Sequence, residues 1–189
     1  MQNKAQITET TRRAILDAFW EIFQETSVDR ITVSRLSQAA HVHRSTFYRY
    51  FSDVYDVMEQ LQKEELAKTA ADAQILLKKL KEETFRLDSC VLLSIMGSHA
   101  EKSYFFLKDD PGQKYRMAMM DIMRPLVSSI IVDTCTDEER MYLEMLIPTI
   151  ILTNIQYKEE CDSEECIHTM ITVAQNLLRE GIMQYLKID

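Results

Sequence analysis

The chain has 189 residues with only three Gly and three Pro, which leaves little turn material for hairpins or sandwiches and predicts an all-α protein. Four cysteines are no disulfide framework, the first twenty residues hold no apolar signal core, and the most apolar stretch, around Met145–Leu152, is interrupted by Pro148 and Thr149. A soluble cytoplasmic protein is expected, and its formal net charge of -8 repels polyanions except where acids have been locally removed.

From the N-terminus, a polar tail precedes a first helix, Thr8 to Thr26, in which Ile15, Phe19, Ile22 and Phe23 recur on one face. Thr32 then reads as the N-cap of a short helix with Leu36, Ala39 and Ala40 on its apolar side. A three-residue break, His41-Val42-His43, leads to a second short helix from Arg44 to Tyr50, with Phe47 and Phe51 facing inward. Ser52-Asp53 caps a long helix from Val54 to about Leu80, on the order of 40 Å at 1.5 Å per residue.

Beyond it, segments rich in Leu, Ile and Met alternate with breaks at Asp109-Asp110-Pro111-Gly112, Asp133-Thr134-Cys135-Thr136 and Glu159 to Ser163. Thr136 with Glu139, and Asp162 with Glu165, have the capping-box spacing that satisfies free helical N–H groups. Helices are predicted at 84–97, 99–108, 113–132, 137–158 and 163–187. Pro125 and Pro148 fall inside two of them and should bend them.

Charge singles out one region. Arg30 to Ser52 contains four arginines, two histidines and no acid. Up to Phe51 the chain has seven Lys/Arg against five Asp/Glu, whereas the remainder has fifteen against twenty-five. This asymmetry falls on a helix-turn-helix pattern, whose second helix must offer polar side chains at its N-terminal end, where base edges lie. Arg44, Ser45 and Thr46 occupy that end, and Tyr48 and Arg49 project outward. Arg44 has the fork to bind guanine O6 and N7 together, and the hydroxyls of Thr32, Thr46, Tyr48 and Tyr50 suit phosphate oxygens. Trp20 reads as partly buried helix surface, not as a stacking platform.

Ile31-Thr32-Val33, Leu36-Ser37, Ala40-His41-Val42-His43, Thr46-Phe47-Tyr48 and Tyr50-Phe51 together resemble the DNA-binding pattern of the TetR family of bacterial transcriptional regulators. The resemblance implies phosphate contacts at Thr32, Thr46, Tyr48 and Tyr50, and base-facing positions at Ser34, Arg44, Ser45 and Arg49. With Arg35 and His43 these form the candidate DNA-contacting set. Three positions depart from the pattern. His41 stands where the family has its turn glycine, which puts some strain on a left-handed residue. His43 replaces the serine that caps the recognition helix, and Val54 replaces a lysine that reaches phosphate, with Asp53 and Asp56 beside it.

The resemblance further implies a division into a DNA-binding domain, 1–53, and a helical effector-binding and dimerisation domain, 54–189. Tyr104, Phe105, Tyr115, Met119, Met120 and Met123 are the candidate wall for a small apolar or aromatic effector, although a Met-filled core is the plainer reading of that stretch. Met141, Met145, Ile155, Val173, Leu177 and Leu178 are the candidate residues of a four-helix seam across a two-fold axis. Cys161, Cys166 and His168 lack a zinc spacing, and no catalytic triad, glycine loop or carboxylate pair is present, so neither a metal, a cofactor nor an enzyme is expected. The expectation is a homodimeric repressor that binds a pseudo-palindromic double-stranded operator and is released by a small molecule. The alternative is a regulator whose C-terminal body binds a protein partner instead.

Overall fold

The computed structural model describes residues 2–80, 100–109, 113–158 and 173, and every regular element among them is helical. The order is α1 (Gln2–Phe23), a 3-10 turn (Val28–Arg30), α2 (Val33–Ala39), α3 (Arg44–Phe47), α4 (Val54–Leu80), α5 (Ala100–Lys108), α6 (Lys114–Ile130) and α7 (Asp137–Lys158). None of these helices is long and apolar enough to cross a membrane. The predicted helices at 84–97 and 163–187, the capping box at Asp162, and Cys161, Cys166 and His168 lie outside the described residues.

The chain divides into two compact units, Met1–Glu64 and Glu65–Asp189. The division falls inside α4, eleven residues beyond the 53/54 boundary drawn from the sequence. The first three turns of α4 belong with the N-terminal unit because Val54, Val57, Met58 and Leu61 are buried there and Gln60 and Glu64 bond back to α1.

In the first unit, α1 contributes Ile15, Leu16, Phe19, Ile22 and Phe23 to the core. The helix starts six residues earlier than Thr8 because the polar residues before it contain nothing that breaks a helix. It stops at Phe23, where the chain turns and inserts Val28 and Ile31 into the same core. Trp20 is half-buried with its ring 6.4 Å from that of Phe23, as its position on the helix margin suggested.

In the second unit, α6 and α7 pack along one another around Val127, Ile131, Leu143 and Ile147. The junction between them is held by two devices. Thr136 Oγ1 accepts from the Glu139 N–H (3.2 Å) and Glu139 Oε2 accepts from the Thr136 N–H (2.9 Å), the reciprocal cap expected from the sequence. Arg140 donates to the carbonyls of Ser128 and Val132, both at 3.3 Å, placing a cation at the C-terminal end of α6. Pro125 and Pro148 lie inside α6 and α7, as the sequence indicated.

The Met-rich stretch contributes unevenly. Tyr104, Tyr115, Met119 and Met123 are buried, Phe105 and Met120 are half-buried, and Met117 is exposed. The Tyr115 and Ser103 hydroxyls meet at 3.1 Å in the buried interior, and the Tyr115 ring lies 5.2 Å from that of Phe106.

Candidate nucleic-acid interface

The hairpin formed by α2, its turn and α3 is built from three local decisions. At the first, Thr32 takes an extended backbone (φ -111°, ψ 149°) and its Oγ1 accepts from the Arg35 N–H at 3.2 Å. The oxygen is thereby committed to the helix, while the hydroxyl proton stays available to donate outward.

The second decision is the turn. His41 adopts φ 54°, the left-handed conformation that the family resemblance implied for this position. A β-carbon makes that conformation costly, so neighbouring bonds must hold it: His41 N–H donates to the Gln38 carbonyl (3.2 Å) and Val42 N–H to that of Ser37 (2.9 Å).

The third is the recognition helix. His43 occupies its N-cap, yet its side chain makes no capping bond, so the imidazole is left exposed beside Arg44. The α-helix proper ends at Phe47, three residues short of the expected Tyr50. Residues 48–50 continue as turns, with Arg49 N–H bonded to the Thr46 carbonyl (3.1 Å) and Tyr50 N–H to that of Phe47 (2.9 Å). These i→i+3 bonds wind the last turn tighter than an α-helix. Phe47 and Phe51 anchor the segment from beneath, with ring centroids 5.8 Å apart and both rings buried.

The result is a shallow polar surface. Thr32, Ser34, Arg35, His43, Arg44, Ser45, Tyr48 and Arg49 are exposed, and Thr46 and Tyr50 are half-buried. Tyr48 stands edge-on to Phe47 at 5.5 Å, which fixes the ring and leaves the hydroxyl outward. Four arginines elsewhere are engaged: Arg12 and Arg13 with Glu64, Arg124 with Asp121, Arg140 with carbonyls. Arg35 has only a loose approach to Glu25 at 4.0 Å. Among the described residues, no hydrogen bond or ion pair engages the guanidinium groups of Arg44 and Arg49.

One expectation needs correction here. Ala39 is exposed, and Ser37 takes its place beside Leu36 and Ala40 on the buried side of α2. Val54, which stands where the family pattern has a phosphate-reaching lysine, is a core residue at 6% exposure. The adjacent acids are also structural. Asp53 Oδ1 caps α4 by accepting from the Asp56 N–H (2.8 Å), and Asp56 Oδ2 accepts from the Ser52 N–H (2.8 Å). Burial pulls the Asp56 carboxyl upward. The bonds from the Ser52 N–H, the Gln60 amide and the Ser52 hydroxyl, with the charge of Lys63, outweigh it and hold the group below its ordinary value of 3.8.

Residues 15–61, from the core of α1 to the second turn of α4, match the family model described as bacterial regulatory proteins, tetR family. The chain carries the DNA-binding domain of the TetR family. It is a DNA-binding transcriptional regulator. No curated protein sequence matches the chain. Among solved structures, the fold is similar to that of the dihydroxyacetone kinase operon activator DhaS, with a TM-score of 0.55 at 17% identity over 94% of this chain and 98% of that one. It is also similar to the fatty acid degradation regulator FadR from Bacillus halodurans, with a TM-score of 0.61 at 15% identity over 91% and 96% of the two chains. At these identities the likeness is one of fold.

Proposed function

We propose that the protein is a homodimeric repressor that reads a pseudo-palindromic operator through Arg44, Ser45 and Arg49, and is released by a small apolar or aromatic molecule. The observation that carries the reading is the pair of exposed, unengaged guanidinium groups of Arg44 and Arg49 within an acid-free span of an acidic chain. Arg44 and Arg49, with Ser34, face base edges. Thr32, Thr46, Tyr48 and Tyr50 hold phosphates, and Arg35 and His43 flank them.

Support for a two-fold body comes from α7. Met141, Tyr142 and Met145 are each more than half exposed, an unusual placement for three large apolar side chains in one turn and a half. Thr149 and Thr153 extend the Met141–Met145 ridge at four-residue spacing. Their hydroxyls donate back to the carbonyls of Met145 (2.7 Å) and Thr149 (2.8 Å), so both polar groups are satisfied within the helix. Such a ridge suits the groove of a second copy. Ile155 is buried in its own unit and lies off this ridge, Val173 is exposed, and Leu177 and Leu178 lie outside the described residues. The effector contacts Tyr104, Phe105, Tyr115, Met119, Met120 and Met123, a set whose soft, flexible Met side chains suit apolar or aromatic ligands.

Selection of bound duplexes from a random pool tests the reading. The expected outcome is a palindrome with half-sites about one helical turn apart, ~34 Å, and an affinity that falls linearly in log–log form with salt. A pool that shows no enrichment, or equal salt-insensitive binding to all duplexes, overturns it. Screening apolar and aromatic metabolites for operator release then separates a ligand-controlled body from one controlled by a protein partner.

A further inference from the structure

A continuous polar chain runs through the N-terminal unit from α1 to the end of the recognition hairpin. Glu64 accepts from Arg12 on Oε1 (3.1 Å) and from Arg13 on Oε2 (3.0 Å). The Arg12 guanidinium also donates to Gln60 Oε1, from Nη2 at 2.9 Å and from Nε at 3.3 Å. Gln60 Nε2 donates in turn to Asp56 Oδ1 at 3.1 Å. The second Asp56 oxygen accepts both the backbone N–H of Ser52 (2.8 Å) and its hydroxyl (3.3 Å). Ser52 directly follows Phe51, whose ring lies against Phe47 in the recognition helix.

The Gln60 amide can face only one way here. Its oxygen meets a cation and its NH2 group meets a carboxylate; reversing it would oppose donor to donor and acceptor to acceptor. The chain is also a poor device for holding the fold, because Arg12 and Glu64 are about a quarter to a third exposed, and partly exposed ion pairs contribute little to global stability. What it supplies is direction. Each link sets the angle of the next, and the last link is a main-chain N–H at the point where the recognition segment joins α4.

We infer that Gln60 and Asp56 are positioning residues for DNA recognition: the relay Glu64–Arg12–Gln60–Asp56 fixes the main chain at Ser52 and, through it, the seat of the recognition helix. The inference rests on residues 44–50 being the DNA-reading segment. Neither residue touches DNA. Both act through Ser52 and the Phe47–Phe51 anchor.

The experiment is a double-variant cycle of Asp56→Asn and Gln60→Glu, read by affinity for the selected operator, affinity for a scrambled duplex, and amide hydrogen exchange over residues 44–52. In Asp56→Asn the new amide loses one bond whichever way it turns, to Gln60 or to Ser52. In Gln60→Glu two carboxylates face each other. In the double variant the position-56 amide donates to the position-60 carboxylate, whose other oxygen keeps Arg12, and the wild-type charge is restored. Each single substitution is expected to weaken operator binding by ~10-fold, the loss of one charge-assisted bond, and to speed exchange across 44–52; the double variant recovers both. Asp56→Asn is the sharpest arm, because removing a negative charge raises DNA affinity by bulk electrostatics, whereas loss of positioning lowers it. Retained or increased operator affinity in Asp56→Asn, or a folded double variant that does not recover, overturns the relay. Should a single variant fail to fold, Gln60→Met, which cuts both links at constant charge, is read instead, with the same loss on operator and none on the scrambled duplex. If the wild type prefers no duplex, the proposed function fails, and the exchange cycle still decides the relay.

Discussion

Ser37 is 3% exposed, and its hydroxyl has no hydrogen-bond partner among the described residues. It lies in α2 between Leu36 and Ala40, in the hairpin that must hold the recognition helix steady. Replacing it with alanine removes only that oxygen. A buried unsatisfied hydroxyl costs about 1–3 kcal/mol, and alanine adds a few tenths of a kcal/mol, roughly, in helix preference. Against this stands the small void left by one oxygen, roughly 1 kcal/mol at most if nothing relaxes into it. Ser37→Ala is therefore expected to stabilise the N-terminal unit by about 1 kcal/mol, which raises the melting temperature of a unit of this size by roughly 4–8 °C. Calorimetry on the full chain measures this, with operator affinity as a control that stays unchanged, since residue 37 faces inward. Leu36→Ala, one residue away and fully buried, is expected to lower stability by about 2–5 kcal/mol. A lower melting temperature for Ser37→Ala would refute the reasoning, because it would mean that the hydroxyl is satisfied by an internal water.

Arg44→Ala is expected to relax base preference at one operator position by about 1–3 kcal/mol, while Tyr48→Phe weakens binding to all duplexes alike; an unchanged sequence logo for Arg44→Ala would reassign that residue. Met141→Glu combined with Met145→Glu places charge on side chains more than half exposed within their own chain, so the fold should survive and only an assembly should suffer. Sedimentation should then show a helical monomer with weakened operator binding, and persistence of a wild-type dimer would move the seam elsewhere. Asp56 has a folded value below its ordinary 3.8, so its contribution to stability is complete above that value and is lost as pH falls through the lowered one. Acid titration of unfolding should show less loss below pH ~4 in Asp56→Asn than in the wild type; equal slopes would mean that the carboxyl gains nothing on folding.

Much of the reading surface was legible in the residues because it is written in short-range chemistry. Thr32 followed by a helical run depends on atoms within four residues of one another, as does the Thr136–Glu139 cap in the second unit, and the left-handed turn at His41 followed from the family resemblance. The acid-free span from Arg30 to Ser52 is likewise visible without a fold. Tertiary structure decided the rest. The bond between Arg12 and Gln60 spans 48 positions, and Asp56, noted in the sequence only as an acid beside Val54, proves to bond back to Ser52. Periodicity put Ala39 on the apolar side of α2, but either small residue fits a face, and packing buried Ser37 instead. In α7 apolar residues lie all round the helix, so hydropathy could not say which side is core. Contact with α6 buries Leu143 and Ile147 and leaves Met141 and Met145 outside, because a helix packed on one side can bury only the faces its neighbours cover.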